Sequence, residues 1–332
     1  MKIIVPMAGI GSRLRPHTLT IPKPLVPVGG KPIVQRLVED IAEMSEEPID
    51  EIAFIIGDFG EQVKRDLKEI AANLGAEGKV YYQEEALGTA HAILCADKSL
   101  EGNIIVAFAD TLFRADFKLD KEKDGVIYVK QIDDPSAFGI VKLDENNHIT
   151  DFVEKPETFI TDLAIIGIYY FKDGNWLKEE LKYLIDNNIK DKGEFQLTNA
   201  LENMKEKGAA FVPGQVNEWL DCGNKDATVH TNQRILELDK NDLVASSVKS
   251  ENSVIIPPCF IGENVQLKNS VVGPHVSIGA YSIVKNSIVK NSIIQKHSII
   301  EKKIFKDSMI GNNAKIEGTY DDLSLGDFSQ SK

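Results

Sequence analysis

Residues Met7–Ile33 read MAGIGSRLRPHTLTIPKPLVPVGGKPI and follow directly on the apolar run Ile3-Ile4-Val5. Such a run, stopped by glycine and proline, predicts a short buried strand. Helical spacing starts at the far end of the stretch, near Ile33. In between stand Gly9, Gly11, Arg13, Arg15, Lys23 and Lys31, set among prolines. Glycine leaves no Cβ between a phosphate and the backbone N–H groups, and the cations balance its charge. No acidic residue occurs between Met7 and Gln35, in a chain of net charge −13. An ordinary surface loop does not explain that concentration of cations; a polyphosphate site does.

Two common phosphate loops fail on the letters. The dinucleotide fingerprint needs a third glycine where Leu14 stands, and a Walker A loop needs Ser or Thr where Pro32 follows Gly30-Lys31. The stretch Ala8-Gly9-Ile10-Gly11-Ser12-Arg13-Leu14-Arg15-Pro16-His17-Thr18, followed by Pro22-Lys23-Pro24-Leu25 and Gly30-Lys31-Pro32, resembles the signature of sugar-1-phosphate nucleotidylyltransferases. That signature has glycine where Ala8 stands and threonine at Ser12, so both departures are to small residues.

Composition is compatible with this resemblance. A chain of 332 residues is long enough for two domains and a sizeable core. The acidic balance argues against nucleic acid or an anionic membrane as partner, since both demand a basic face. No run of about 20 apolar residues is present to span a membrane. The chain enters a strand at once, leaving no room for a signal peptide. Cys95, Cys222 and Cys259 lie far apart without metal-ligand spacing and read as reduced core residues, which predicts a cytoplasmic location.

Beyond the opening loop, strands and helices alternate. Helices are expected at Val34–Met44, Gln62–Leu74 and Thr89–Ala96. Strands are expected at Ile52–Ile56, Val80–Gln83 and Ile104–Ala109, the last wholly apolar and therefore central. This rhythm predicts an open α/β sheet with ligands beyond the carboxyl ends of its strands. From Gly125 to Phe171 short strands follow one another, which predicts a β-rich insertion closing over the sheet edge. Helices at Trp176–Asp186 and Phe195–Lys205, strands at Phe211–Val216 and Glu218–Leu220, and a helix at Thr228–Leu238 complete a domain of residues 1–240.

The region 241–318 is a repeat. Ile255, Ile261, Leu267, Val272, Ile278, Val284, Val289, Ile294, Ile300, Phe305, Ile310 and Ile316 recur every five or six residues, with Asn-Ser-Val or Asn-Ser-Ile between them. This is the spacing of a hexapeptide solenoid, in which three steps close one coil and stacking buries the apolar faces. About four coils fit. Residues 319–332 form a polar, acidic tail.

The resemblance extends along most of the chain. It implies a Rossmann-like mixed-sheet nucleotidyltransferase domain followed by a short left-handed parallel β-helix. It implies transfer of a nucleotidyl group from a nucleoside triphosphate to a sugar 1-phosphate, with Mg²⁺ as cofactor. Ala8, Gly9, Gly11, Ser12 and Arg13 match the nucleotide loop, with Arg13 and Lys23 in catalytic roles. Gln83 and Gly88, within Tyr82–Ala90, match the base-recognition segment; a side-chain amide there offers both donor and acceptor. Asp110 and Asp221 match the metal-binding aspartates. Gly139, Glu154, Lys155 and Glu194 match the sugar-phosphate side, and Lys192 stands where many relatives have arginine.

Glucose 1-phosphate with dTTP or UTP is the expected substrate pair, and mannose 1-phosphate with GTP the alternative. Two readings from other classes stay open: a non-catalytic nucleotide-sugar sensor, and a bifunctional enzyme with an acyltransferase in the solenoid. The latter would call on His275 or His297, although histidines beside turns are more simply solvated. The solenoid is otherwise expected to pack against a symmetry mate, giving a homo-oligomer.

Overall fold

The computed structural model describes residues 1–115, 119–239 and 243–319. The chain divides into two compact units: Met1–Val26 with Lys31–Gly223, and Pro27–Gly30 with Asn224–Lys332. The division falls after Gly223, upstream of the expected boundary after residue 240. The expected tail, apart from residue 319, lies outside the described residues.

The first unit begins β1 (Lys2–Pro6), then two-residue β2 (Pro27–Val28, counted with the second unit) and β3 (Lys31–Pro32), α1 (Ile33–Ser45) and β4 (Glu51–Ile56). It continues α2 (Gly60–Asn73), β5 (Glu77–Tyr82), α3 (Thr89–Leu94), β6 (Ile104–Ala107) and β7 (Thr111–Arg114). Next come β8 (Gly125–Gln131), β9 (Gly139–Leu143), β10 (Ile149–Glu154), β11 (Leu163–Phe171), α4 (Gly174–Asp186) and α5 (Leu197–Glu206). Strands β12 (Phe211–Gln215) and β13 (Glu218–Asp221) close the unit. The expected elements are present to within a few residues, and β2, β3 and β7 are additions.

The main sheet runs β10-β9-β11-β6-β1-β4-β5, with β8 beside β11 and β12 beside β8. Strand β1 is parallel to both β4 and β6. The chain goes to one side of β1 for β4 and returns on the other for β6. Strand order therefore reverses at β1, and a crevice opens beyond the carboxyl ends there. Ile3, Ile4, Val5 and Ile104–Ala107 are buried, as strands covered on both faces require. Helix α1 buries Ile33, Val34, Leu37, Val38, Ile41 and Met44, one stripe at helical spacing.

The β-rich insertion does not close over the sheet edge. Strand β11 pairs antiparallel with β6 and lengthens the same sheet, and β8 and β9 pair with β11 in turn. Ala164, Ile165, Ile166 and Ile168–Phe171 of β11 are buried, so the strand behaves as an interior strand.

In the second unit α6 (Lys225–Leu238) starts at Asn224, whose side chain accepts the Ala227 N–H at 3.0 Å. Fourteen short parallel strands between Leu243 and Glu317 then stack in three sheets, four complete coils and the start of a fifth. This is a short left-handed β-helix. Eight of the twelve repeat residues are buried in its core, and the other four, Ile255, Phe305, Ile310 and Ile316, are partly buried and packed against it. Asn252, Asn269 and Asn286 turn the first three coils in the left-handed region, which asparagine tolerates, and Lys302 takes the same place in the fourth. The serine after each asparagine accepts an N–H from the coil above, as Ser253 does from Ser270 at 3.1 Å.

Pro27–Gly30 packs as a strap within this second unit. The Gly29 N–H donates to Asn232 Oδ1 at 2.9 Å, and Ser277 Oγ donates to the same oxygen at 2.6 Å. Gly30 has φ +86°, and a Cβ there would lie 2.2 Å from the Phe260 ring. Among the described residues no helix is long and apolar enough to cross a membrane.

Candidate functional site

The nucleotide loop leaves β1 at Met7, whose N–H still donates to Ile55 at 2.8 Å. Gly11 then takes a left-handed conformation and starts a 3₁₀ turn, Ser12–Leu14. A Cβ on Gly11 would sit 2.9 Å from the Lys23 Cβ, so its bareness lets the Lys23 backbone come close. Thr18 Oγ1 donates to the Gly11 carbonyl at 2.8 Å and holds the loop shut. Leu14 is buried beneath it. The third position of the dinucleotide motif is thus an anchor here, not a contact.

Of the four cations in the stretch, Arg13 and Lys23 line the cavity that opens above the loop. Lys31 is drawn away by Glu39 of α1, 2.7 Å from its ammonium. Lys23 is almost wholly buried, and its ammonium donates to Asp110 Oδ2 at 3.1 Å.

Asp110 and Asp221 are far apart in sequence and are brought together by β7 and β13. Their antiparallel register sets Asp221 opposite Thr111, and the Cys222 N–H donates to the Asp110 carbonyl at 3.0 Å. The Gly223 N–H donates to Asp221 Oδ1 at 2.9 Å, and a Cβ on Gly223 would meet the other carboxylate oxygen at 2.9 Å. Burial first, then the charge of Asp110, push the Asp221 carboxyl above its usual range, against Lys23 and Arg13. That is undercompensated negative charge, and it fits a divalent cation. Among the described residues no three His, Cys, Asp or Glu side chains gather to hold a metal. A hard cation on these two carboxylates would complete its shell with phosphate oxygens and water.

Two cavities occupy the sheet's carboxyl edge in the first unit. One, of about 430 Å³, is lined by Ala8, Gly9, Gly11, Ser12, Arg13, Lys23, Gln83, Gly88, Asp110 and Glu194. The other, of about 300 Å³, is lined by Gly139, Glu154, Lys155, Asp221 and again Arg13 and Asp110. Glu194, matched to the sugar side by sequence, lies on the first cavity. The remaining expected residues line one or both of these cavities.

The second cavity is built by β9 and β10, whose register sets Glu154 opposite Gly139. A Cβ on Gly139 would lie 3.1 Å from the Glu154 carboxylate, so glycine makes room for it. Burial pushes the Glu154 carboxyl up, opposed by the Lys155 ammonium 3.6 Å away. Lys192 donates to the carbonyls of Lys155 and Glu154 at 2.9 and 3.4 Å, a tether for the residue pair rather than a lining cation.

Several lining residues escaped the sequence reading. Trp219 packs edge-on against Phe138, with ring centroids 4.8 Å apart. Its Nε1–H and the Thr198 hydroxyl are buried without a hydrogen-bond partner among the described residues, and both side chains line the second cavity. Thr198 ends the Gly193-Glu194…Thr198 motif and could have been found there; Trp219, one residue before Leu220-Asp221, gave no signal. Gly88 has φ +113°, and a Cβ would stand 2.5 Å from the Phe195 carbonyl. Its lack of a side chain serves this backbone crossing. Thr89 does not cap its own helix: its Oγ1 accepts the N–H of Leu197, the first residue of α5, at 2.9 Å.

In the second unit His275 Nε2 lies 3.1 Å from Glu237, and His297 stacks on Tyr281 with centroids 5.2 Å apart. Both histidines are thus engaged by neighbours.

A profile of the family described as nucleotidyl transferase matches residues 2–237. A glucose-1-phosphate thymidylyltransferase of Streptomyces antibioticus is 29% identical, over 95% of this chain and 93% of that protein. A low-salt glycan biosynthesis nucleotidyltransferase of Haloferax volcanii is 30% identical over the full length of both. The bifunctional protein GlmU of Methanocaldococcus jannaschii is 29% identical over 94% of this chain and 78% of its own length. Among solved structures, a UDP-glucose pyrophosphorylase superposes with TM-score 0.58 at 22% identity, over 72% of this chain and 99% of that one. A putative glucose-1-phosphate thymidylyltransferase from Bacillus anthracis gives TM-score 0.60 at 23% identity, over 72% of this chain and 96% of that one, which speaks for the fold.

Proposed function

The chain belongs to the nucleotidyl transferase family and is a sugar-1-phosphate nucleotidylyltransferase, and we propose from this premise that it joins glucose 1-phosphate to dTTP or UTP, releasing pyrophosphate. The observation that carries the reading is a pair of cavities sharing Arg13 and Asp110, one lined by Lys23 and the other by Lys155. Two anionic substrates need such a junction, where cations offset their repulsion and hold them in line.

In this reading the triphosphate occupies the larger cavity, its phosphates on Ala8, Gly9, Gly11 and Ser12 and its base beside Gln83 and Gly88. Lys155 holds the sugar phosphate, whose oxygen attacks the α-phosphorus; the bond to the β-phosphate bridge breaks and pyrophosphate leaves on Arg13. Lys23 balances the charge that grows on the α-phosphate. Gly139 and Glu154 receive the sugar, with Trp219 and Thr198 as further partners for its hydroxyls. Asp110 and Asp221 would hold Mg²⁺, which when bound neutralises phosphate charge. No side-chain nucleophile is required.

Mannose 1-phosphate with GTP is the second reading, because guanine presents the same ring N–H to Gln83 as thymine and uracil do. The subunit is a homo-oligomer of the cytoplasm in this proposal. Support comes from an outward apolar column on one solenoid face, Val254, Val271, Ile288 and Ile304, and from three free cysteines. The deciding experiment measures pyrophosphate release over a grid of triphosphates and sugar 1-phosphates with Mg²⁺. Release is expected to be fastest with glucose 1-phosphate and dTTP or UTP, and silence across the grid would sink the proposal.

A further inference from the structure

Gln83 continues β5 by donating its N–H to Ile56 at 2.9 Å, and its side chain lines the larger cavity. One end of its amide lies 3.3 Å from the Gly88 carbonyl oxygen. A carbonyl only accepts, so the nitrogen is the end that faces it, but one bond of 3.3 Å is too long to fix the amide by itself. The same Nε2 lies 3.2 Å from His91 Nδ1. Its second hydrogen therefore donates to the imidazole, which must carry its own proton on Nε2. Both donors of Gln83 are spent inside the protein. What the side chain has left for a ligand is Oε1, an acceptor.

We infer that His91 is a positioning residue for base selection, locking Gln83 as an acceptor that admits bases with a ring N–H. Thymine and uracil carry that hydrogen at N3 and guanine at N1. Cytosine N3 and adenine N1 carry a lone pair instead, which would face the lone pairs of Oε1. An amide free to rotate would serve either class, turning Nε2 to a cytosine or adenine. His91 and the Gly88 carbonyl together remove that freedom. A buried acceptor facing an acceptor forfeits the bond and keeps the desolvation penalty of both groups.

The inference rests on the reading of Gln83 as a base contact, and the test separates the two. Calorimetric titration of the full chain with dTTP, UTP, GTP, CTP and ATP, with Mg²⁺, gives five dissociation constants for each variant. The wild type should bind at least one of dTTP, UTP and GTP about tenfold or more tighter than CTP and ATP, the size of one lost hydrogen bond. His91→Phe should narrow that gap to about threefold or less. His91→Asn, whose Oδ1 can stand where Nδ1 stood, should restore it. Equal weakening of all five ligands in His91→Phe would make His91 a packing residue and overturn the inference. So would an intact gap in His91→Phe when Gln83→Ala abolishes it. An intact gap in Gln83→Ala would instead refute the base contact itself.

Discussion

Lys192 is the residue whose role changes most between sequence and structure. The resemblance puts it where an arginine would face phosphate, yet its ammonium is occupied by the Lys155 and Glu154 carbonyls. Lys155 itself sits at φ +44°, an uncommon conformation for a side chain of its length, so a tether there has a purpose. Lys192→Met should raise the KM for sugar 1-phosphate about tenfold through loss of a charge-assisted bond, and leave the KM for triphosphate unchanged. Steady-state kinetics with each substrate varied in turn decides it.

Asp40 is a second case, invisible in sequence because one acidic residue on α1 looks like any other. Burial raises its carboxyl to about 6, against the pull of Arg114 and Arg36. A raised folded value means the native state holds the proton more tightly than the unfolded chain does. Its contribution is therefore fully present below the unfolded value, near 3.8, and is lost as pH rises through about 6. Asp40→Asn should be more stable than the wild type by roughly 2 kcal/mol at pH 8, with the difference fading below about pH 4. Denaturant titrations of both proteins across that range measure it.

Among elements, α3 and α5 depend on a backbone crossing rather than on side-chain packing alone. The Phe195 N–H donates to the Leu87 carbonyl at 2.9 Å, and Ala90 donates back to Phe195 at 2.9 Å. Gly88→Ala would drive a methyl into that crossing at positive φ. The expected cost is about 2–3 kcal/mol, with weaker triphosphate binding because Gln83 loses its carbonyl partner. Thermal melting with and without dTTP separates the two effects. The strap is a similar case. Asn232→Leu leaves the buried Gly29 N–H and Ser277 hydroxyl without their acceptor, at about 1–3 kcal/mol. Hydrogen exchange at Gly29 should accelerate in that variant; unchanged exchange would mean that the strap is held otherwise.

At the scale of the whole molecule, the solenoid presents chemically different faces. One carries the charged outward residues Glu251, Lys268 and Lys285 in register, while another stacks Val254, Val271, Ile288 and Ile304. Ile304 is 78% exposed, the most open large hydrophobic residue of the described chain. A parallel ladder of aliphatic residues in water invites a partner surface. Ile304→Glu should reduce the mass seen by light scattering to that of a smaller assembly while leaving the melting temperature of a dilute sample unchanged. An unaltered mass would remove this face from the interface.

Much of this architecture was legible in the sequence. Short apolar runs between glycines and prolines mark β1, β4 and β6, and a five-to-six-residue aliphatic beat marks the solenoid, because these signals are local and periodic. Arg13, Lys23 and the glycines around them were legible for the same reason: one contiguous stretch carries the whole loop. The direction of growth of the β-rich insertion was not, since strand spacing is the same whether β11 covers the sheet or joins it. The meeting of Asp110 with Asp221 was legible only through the family resemblance, since it depends on a register between β7 and β13 formed across about a hundred residues. The sequence by itself determined which elements exist and marked the opening stretch as a candidate phosphate loop. Only the tertiary structure decided that Gly30 serves a packed ring, Lys192 a pair of carbonyls, and Gln83 an acceptor's part. Those roles are set by neighbours distant in the chain, and the residue type alone does not encode them.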